Sequence, residues 1–117
     1  MKYRTSELFG GLLDAAVARA VNKTPGLGKC LQEAGIPMFH PAFRPGSLWE
    51  HGGPIIEREL ITVVPNQGAA EEGFEAMIDA RGEGPYVVGK PVQEGETYLV
   101  AAMRAFVAAK IGEEVDL

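Results

Sequence analysis

The sequence is short of the residues that most cross-links and much active-site chemistry require. Its 117 residues include one cysteine, Cys30, and two histidines, His40 and His51. A single cysteine excludes an internal disulfide and is typical of a reducing compartment. These three side chains do not form the paired ligand motifs of a zinc site. We therefore expect no metal, no other cofactor and no enzymatic activity.

Long apolar runs and an excess of basic charge are also absent. No run approaches the roughly 18 apolar residues of a membrane-spanning helix, and the first residues lack a signal-peptide apolar segment. The formal net charge is −5, whereas general affinity for nucleic acid depends on neutralising phosphates with basic side chains. The sequence predicts a cytoplasmic protein that binds no membrane and no nucleic acid.

The charge is unevenly distributed along the chain. Residues 1–58 carry seven Lys and Arg against five Asp and Glu, while residues 59–117 carry four against eleven. A basic patch can therefore form only locally, in the N-terminal half. The length fits one domain over residues 1–117, and the composition, 46% hydrophobic and 23% charged, is that of a globular protein.

Apolar residues at helical spacing predict two long amphipathic helices. The first spans about 6–21 and follows Thr5 as its N-cap; the second spans about 98–111 and follows Thr97. The apolar stripe of the first is Phe9, Leu13, Ala16, Val17 and Ala20, and that of the second is Leu99, Met103, Phe106 and Val107. Ile61 joins these stripes in the predicted core.

Three segments between the helices predict strands. Residues 60–64 are rich in β-branched side chains, residues 74–80 alternate apolar and polar, and residues 86–88 suggest a short third strand. Two helices bracketing short strands must share one core in a chain of this size. The sequence therefore predicts an α+β fold with both long helices on one face of a small antiparallel sheet.

A further, short helix is expected at about 48–59. Ser47 and Glu50 stand in capping-box positions at its start. Gly52, Gly53 and Pro54 follow within one turn, and these residue types interrupt helices. We therefore expect this helix to be broken or kinked.

Small residues follow the back of both long helices. In the first they are Gly11, Ala15 and Ala18, and in the second Ala101, Ala105 and Ala108. One interpretation is the high helix propensity of alanine. The other is close packing of these faces, either against each other or across a homodimer.

Three blocks of sequence carry a family resemblance. They are Lys2, Arg4, Thr5, Glu7 and Leu8 with Leu13, Asp14, Ala16, Val17 and Ala18; Trp49 with Gly52 through Glu59; and Ala101 through Arg104 with Val107, Ala108, Lys110, Gly112, Glu114 and Val115. Together they resemble the NinX-like family of lambdoid phage proteins. The resemblance implies a phage or prophage accessory protein, present in the host cytoplasm, with a helix–sheet–helix architecture. It implies no particular activity.

One cluster of residue types suits ligand binding. Trp49 stands near Phe43, Arg44, His51 and Arg58, and aromatic rings with guanidinium groups suit a planar or anionic ligand. The alternative is that Trp49 packs the short helix onto the sheet. Outside this cluster, Asp14 is expected to form an ion pair with an arginine such as Arg104.

Two functions therefore stay open. The first is a non-enzymatic protein that binds a host or phage macromolecule, with a host or phage protein as the expected partner. The second is a binder or sequestrant of a small, nucleotide-type ligand that uses the tryptophan–arginine cluster.

Overall fold

The computed structural model describes residues 1–66, 73–78 and 93–117. Within these ranges the chain forms four α-helices and five β-strands, and the predicted α+β class is confirmed. In chain order they are β1 (Lys2–Arg4), α1 (Gly10–Asn22), α2 (Leu27–Glu33), α3 (Trp49–Glu59), β2 (Ile61–Pro65), β3 (Phe74–Ile78), β4 (Gln93–Gly95), α4 (Tyr98–Lys110) and β5 (Glu114–Asp116).

Helix α4 is the central element of the fold. It packs against β2, β3 and β4 and also against α1. Its buried residues lie on more than one side of the helix: Leu99, Ala101, Ala102, Met103, Ala105, Phe106 and Val107. Such a helix needs cover on more than one side, and both covers here belong to the same chain. The main contacts of α1 are with α4 and α2, so α1 joins the core through α4.

The predicted core is confirmed. Leu13, Val17, Ile61, Leu99, Met103 and Phe106 are all buried. Five of the six belong to a single cluster that joins α1, α4 and the sheet.

The three-stranded sheet is antiparallel in the order β2–β3–β4. Val63 lies opposite Ala76, and Ile61 lies opposite Ile78. The two strands predicted over 60–64 and 74–80 are therefore confirmed, at Ile61–Pro65 and Phe74–Ile78. Residues 79–80 and the third predicted strand, 86–88, lie outside the described residues, and β4 was not predicted.

The first helix begins later than the sequence predicted. Thr5 opens a 3-10 turn, and α1 begins at Gly10 with Phe9 as its N-cap. The Thr5 hydroxyl instead donates to the Gly112 carbonyl oxygen at 2.7 Å. Phe9 therefore lies outside the helical stripe and is 70% exposed, while Leu8 takes a core position.

The predicted break in the third helix is wrong. Helix α3 is continuous from Trp49 and has Leu48 as its N-cap, without a side-chain cap, so Ser47 does not form the capping box. Pro54 removes only one helical hydrogen bond. Gly52 has a packing role: a Cβ there would lie 2.5 Å from the Pro45 oxygen and 2.7 Å from Leu99 Cδ2.

A two-stranded ribbon joins the two ends of the chain. Strands β1 and β5 pair antiparallel, with Tyr3 opposite Val115. The N-terminal amine donates to Asp116 Oδ1 at 2.9 Å. In the part of the chain that the structure describes, no helix combines the length and apolar character needed to cross a membrane.

Candidate functional site

The structure does not bring the five residues of the predicted tryptophan–arginine cluster together in one site. Phe43 and His51 belong to the interior, with 3% and 7% exposure. Their rings stack at a centroid distance of 5.8 Å, and the Arg44 backbone N–H donates to His51 Nδ1 at 2.9 Å. These contacts hold the loop before α3, so the two rings are placed for a structural role and not for contact with a ligand.

The two arginines of that cluster are exposed. Arg44 precedes α3, and its Nε donates to the Pro41 carbonyl oxygen at 3.1 Å. Arg58 lies in the last turn of α3, roughly 13 Å along the helix axis from Trp49. Its Nη2 lies beside Gly26, the N-cap of α2, at 3.4 Å from the position that a Cβ would take there. The structure therefore does not bring the Arg58 guanidinium to the tryptophan.

Trp49 is held by aromatic contacts but is not buried. Its ring centroid lies 4.9 Å from that of Tyr98, at an interplanar angle of 41°. Tyr98 in turn makes an edge contact with Phe74 at 6.0 Å. The row of rings connects α3 through α4 to β3, yet Trp49 stays 57% exposed. Trp49 thus both packs on the fold and presents a large apolar surface to solvent.

Beside Trp49 lies a cleft of about 450 Å³, which we call the aromatic cleft. Its lining residues come from the starts of α1, α3 and α4 and from the loop before α3: Gly10, Asp14, Gly46, Ser47, Trp49, Thr97, Tyr98, Leu99 and Val100. The volume is within the range of small-molecule sites. Asp14 is the one ionisable acid or base in this lining besides the Tyr98 phenol.

Asp14 is buried at the aromatic cleft, with 9% exposure. Its Oδ1 accepts a hydrogen bond from the Gly46 N–H at 2.9 Å. Burial raises the pKa of the Asp14 carboxyl above its ordinary value of 3.8. The Gly46 hydrogen bond and the nearby Arg44, His40 and His51 each lower this pKa, but the loss of hydration outweighs them.

The expected ion pair between Asp14 and Arg104 is not formed. Arg104 Nε donates to the Leu8 carbonyl oxygen at 2.8 Å, and its Nη1 donates to the Glu94 carbonyl oxygen at 2.7 Å. Burial lowers the pKa of this guanidinium. Arg104 therefore connects α4 to the N-terminal segment and to β4, and no arginine among the described residues bonds to Asp14.

Other polar residues that the structure describes lie outside the aromatic cleft. Within residues 1–66, 73–78 and 93–117, no group of three or more His, Cys, Asp and Glu side chains could hold a metal ion. Cys30 lies partly exposed on α2. Lys110 and Glu59 form an ion pair of 2.9 Å between the ends of α4 and α3.

Sequence reasoning missed two residues of the aromatic cleft as members of one site. Asp14 and Tyr98 are distant from Trp49 along the chain, and no local pattern connects them. The sequence holds one signal for Tyr98, because it predicts Thr97 as the N-cap of α4. In the structure, Thr97 Oγ1 accepts a hydrogen bond from the Val100 N–H at 3.1 Å. The residue after an N-cap lies in the first helical turn, where exposed side chains can reach a neighbouring element.

Comparison with known protein families gives a match. The family model described as Bacteriophage P22, NinX matches residues 4–110. No curated protein matches the chain. The matched range includes every residue that lines the aromatic cleft.

Proposed function

Since the chain belongs to the phage NinX family, we propose that it is a non-enzymatic accessory protein that binds a host or phage macromolecule. The expected partner is a protein, and the expected place of action is the host cytoplasm. The observation that carries the proposal is Trp49, a large aromatic side chain that is 57% exposed beside a concave cleft.

The surroundings of Trp49 support a binding role. Its ring contact with Tyr98 limits its motion, so docking on it costs less side-chain entropy than docking on a mobile residue. Tryptophan and tyrosine are enriched among the residues that dominate binding energy at protein interfaces. The net charge of −5 favours a protein partner over nucleic acid.

Site-specific photocrosslinking in phage-infected cells tests this proposal. A photoreactive phenylalanine analogue replaces Trp49 in one variant and Lys29 in a matched control. The Lys29 side chain is 82% exposed on α2 and does not line the aromatic cleft. We expect a discrete crosslinked product from position 49 that position 29 does not give. Identical products from both positions, or none from either, would contradict the proposal.

A second candidate function is the binding of a small, nucleotide-type ligand. The observation that favours it is the form of the aromatic cleft, a space of about 450 Å³ beside the exposed Trp49. Small-ligand sites typically combine apolar walls with a few convergent polar groups. Here those groups are Asp14, Ser47 and Thr97. Direct titration of the protein with nucleosides tests this second function separately from the first.

A further inference from the structure

We propose that the aromatic cleft binds an uncharged planar ring whose edge carries two adjacent N–H donors, the chemistry of a guanine base. Asp14 is the acceptor for that edge, and Trp49 is the surface on which the ring stacks. This inference rests on the second candidate function, the binding of a nucleotide-type ligand, and adds the identity of the base.

The Asp14 carboxylate has acceptor positions that the protein leaves open. A carboxylate has about four acceptor positions, and among the described residues one donor, the Gly46 N–H, reaches it. Its pKa is raised by burial despite that bond and the nearby Arg44. A ligand that brings two N–H groups would therefore supply donors to a carboxylate that is only partly hydrogen-bonded.

Positive charge already lies beside Asp14. Arg44 acts on this carboxylate, and the first turns of α1, α3 and α4 meet at the cleft. The starts of α1 and α3 have no side-chain cap, and helix starts carry a partial positive charge. A cationic donor such as a guanidinium would be repelled by these groups. A neutral donor would not.

The exposed ring of Trp49 suits a flat ligand. The Trp49 ring rests on Tyr98 on one side, and its 57% exposure leaves ring surface available to a ligand. Every base offers a flat face for such stacking, so stacking alone does not choose among bases. The choice falls to Asp14, the carboxylate at the buried side of the cleft.

Guanine fits this carboxylate better than the other purines. Its N1–H and N2–H₂ groups are adjacent donors, whereas adenine presents the unprotonated N1 next to its amino group. Adenine would place a lone pair against the carboxylate. Inosine keeps N1–H but lacks the amino group, so it offers one donor instead of two.

Fluorescence titration of the intact protein tests this inference. Trp49 is the single tryptophan of the chain, so its emission reports on the aromatic cleft without labelling. The probes are guanosine, inosine and adenosine, which carry no phosphate. We expect saturable quenching by guanosine, about tenfold weaker binding of inosine, and no saturable response to adenosine, because each lost hydrogen bond to a charged acceptor is worth about tenfold.

Two variants assign the selectivity to Asp14. Asp14→Asn keeps an oxygen for the Gly46 N–H but presents an amide to the ligand, and we expect it to lose the preference for guanosine by at least about tenfold. Glu50→Gln is the matched control, since Glu50 is an exposed neighbour of Trp49 that does not line the cleft. We expect it to bind guanosine like the wild type. Circular dichroism of both variants shows that the fold is retained.

The outcomes separate this inference from the functions on which it depends. Equal affinity for guanosine and adenosine, or full guanosine selectivity in Asp14→Asn, overturns the guanine assignment and leaves a nucleoside site. Stronger binding of N-acetylarginine amide than of guanosine overturns the assignment of an uncharged ligand. No response to any nucleoside overturns both the inference and the second candidate function. The crosslinking result at position 49 is independent of all three.

Discussion

The backbone N–H of Gly46 donates to Oδ1 of Asp14 across 2.9 Å, and this bond joins the loop before α3 to α1. The approach is close enough to restrict the residue at position 46. A Cβ there would lie 3.1 Å from the same Asp14 oxygen and 3.1 Å from Leu13 Cδ2. The loop therefore lies against one oxygen of the carboxylate and supplies one hydrogen bond to it, while burial raises the Asp14 pKa.

Replacing Asp14 with asparagine should make the protein more stable relative to wild type as the pH rises. Because burial raises the pKa of Asp14 in the folded state, folded protein holds this proton more tightly than unfolded protein does. The stability linked to it is complete below the unfolded value of 3.8 and is lost as the pH rises through the folded pKa. Asparagine does not titrate and keeps the Gly46 acceptor.

Urea unfolding at a series of pH values from about 3 to about 7 measures this effect. The free energy of unfolding of Asp14→Asn should increase relative to that of wild type as the pH rises across the series. Gln32→Ala, an exposed change on α2 that involves no titratable group, serves as the control and should show a difference that does not vary with pH. An Asp14→Asn variant that loses stability toward neutral pH would mean that the folded protein favours the charged carboxylate.

Adjacent glycines in α3 should respond differently to alanine. At Gly52 a Cβ would meet the Pro45 oxygen at 2.5 Å and Leu99 Cδ2 at 2.7 Å, whereas at Gly53 it would meet nothing within 4 Å outside its two chain neighbours. Gly52→Ala should lower the free energy of unfolding by about 1–3 kcal/mol through overpacking. Gly53→Ala should change it by no more than about 0.5 kcal/mol, because the gain in helix propensity is offset by the contact of the new Cβ with the ring of Pro54. Equal effects in urea unfolding would contradict the packing role of Gly52.

The sequence predicts the regular elements of this fold well where periodicity is strong. Helix α4 and strands β2 and β3 lie within a residue or two of their predicted bounds. The errors occur where one residue type has two physical uses. Glycines and a proline near position 53 predicted a broken helix, but Gly52 gives close packing. Thr5 predicted an N-cap, but its hydroxyl bonds the Gly112 carbonyl at the far end of the chain.

The candidate site was predictable only in part, because its members come from distant segments. Trp49 was singled out, and the structure leaves it exposed at a cleft. Phe43 and His51 were grouped with it by nearness in sequence, yet they stack inside the protein. Asp14 and Tyr98 join Trp49 only through the packing of three helices. The sequence alone could not show that arrangement, since it depends on how α1, α3 and α4 pack against one another.

Leu60 should be replaceable by glycine with a gain in stability. It ends α3 in the left-handed region, with φ of 54°, and its side chain is 62% exposed. A non-glycine residue in that region costs roughly 1–2 kcal/mol, and little buried area is lost with this side chain. Leu60→Gly should raise the free energy of unfolding by about 1 kcal/mol.

Leu60→Ala is the matched control for this change. Alanine removes the exposed side chain but keeps the Cβ that disfavours a positive φ, so it should give no comparable gain. Thermal or urea unfolding measures both variants. A gain in Leu60→Ala as large as that in Leu60→Gly would show that the side chain, and not the backbone conformation, limits stability.

The ion pair between Glu59 and Lys110 should contribute measurably to stability. Its atoms lie 2.9 Å apart, and the side chains are 12% and 27% exposed. A double-mutant cycle with Glu59→Gln and Lys110→Met should give a coupling energy of about 1 kcal/mol. The exposed Lys29–Glu33 pair, at 4.0 Å, is the control and should give at most about 0.5 kcal/mol. A ranking in the reverse order would contradict the assigned role.

Ala105 discriminates between close packing within one chain and a homodimer through α4. It is 5% exposed, on the helix that the sheet and α1 both contact. Because this cover comes from the same chain, Ala105→Glu should place a charge in the interior and lower the free energy of unfolding by about 3 kcal/mol or more. Ala109→Glu, on the same helix but exposed, should change it by no more than about 0.5 kcal/mol.

Sedimentation of the same variants completes the test. If Ala105 packs inside one chain, Ala105→Glu loses stability and any soluble fraction keeps the oligomeric state of wild type. If α4 forms a homodimer through this face, Ala105→Glu dissociates the dimer while circular dichroism and urea unfolding of the monomer stay near wild type. The second result would show that α1 leaves this face of α4 in solution. Homodimerisation of the folded chain would otherwise require a different surface, since the small residues Ala101 and Ala105 are already covered.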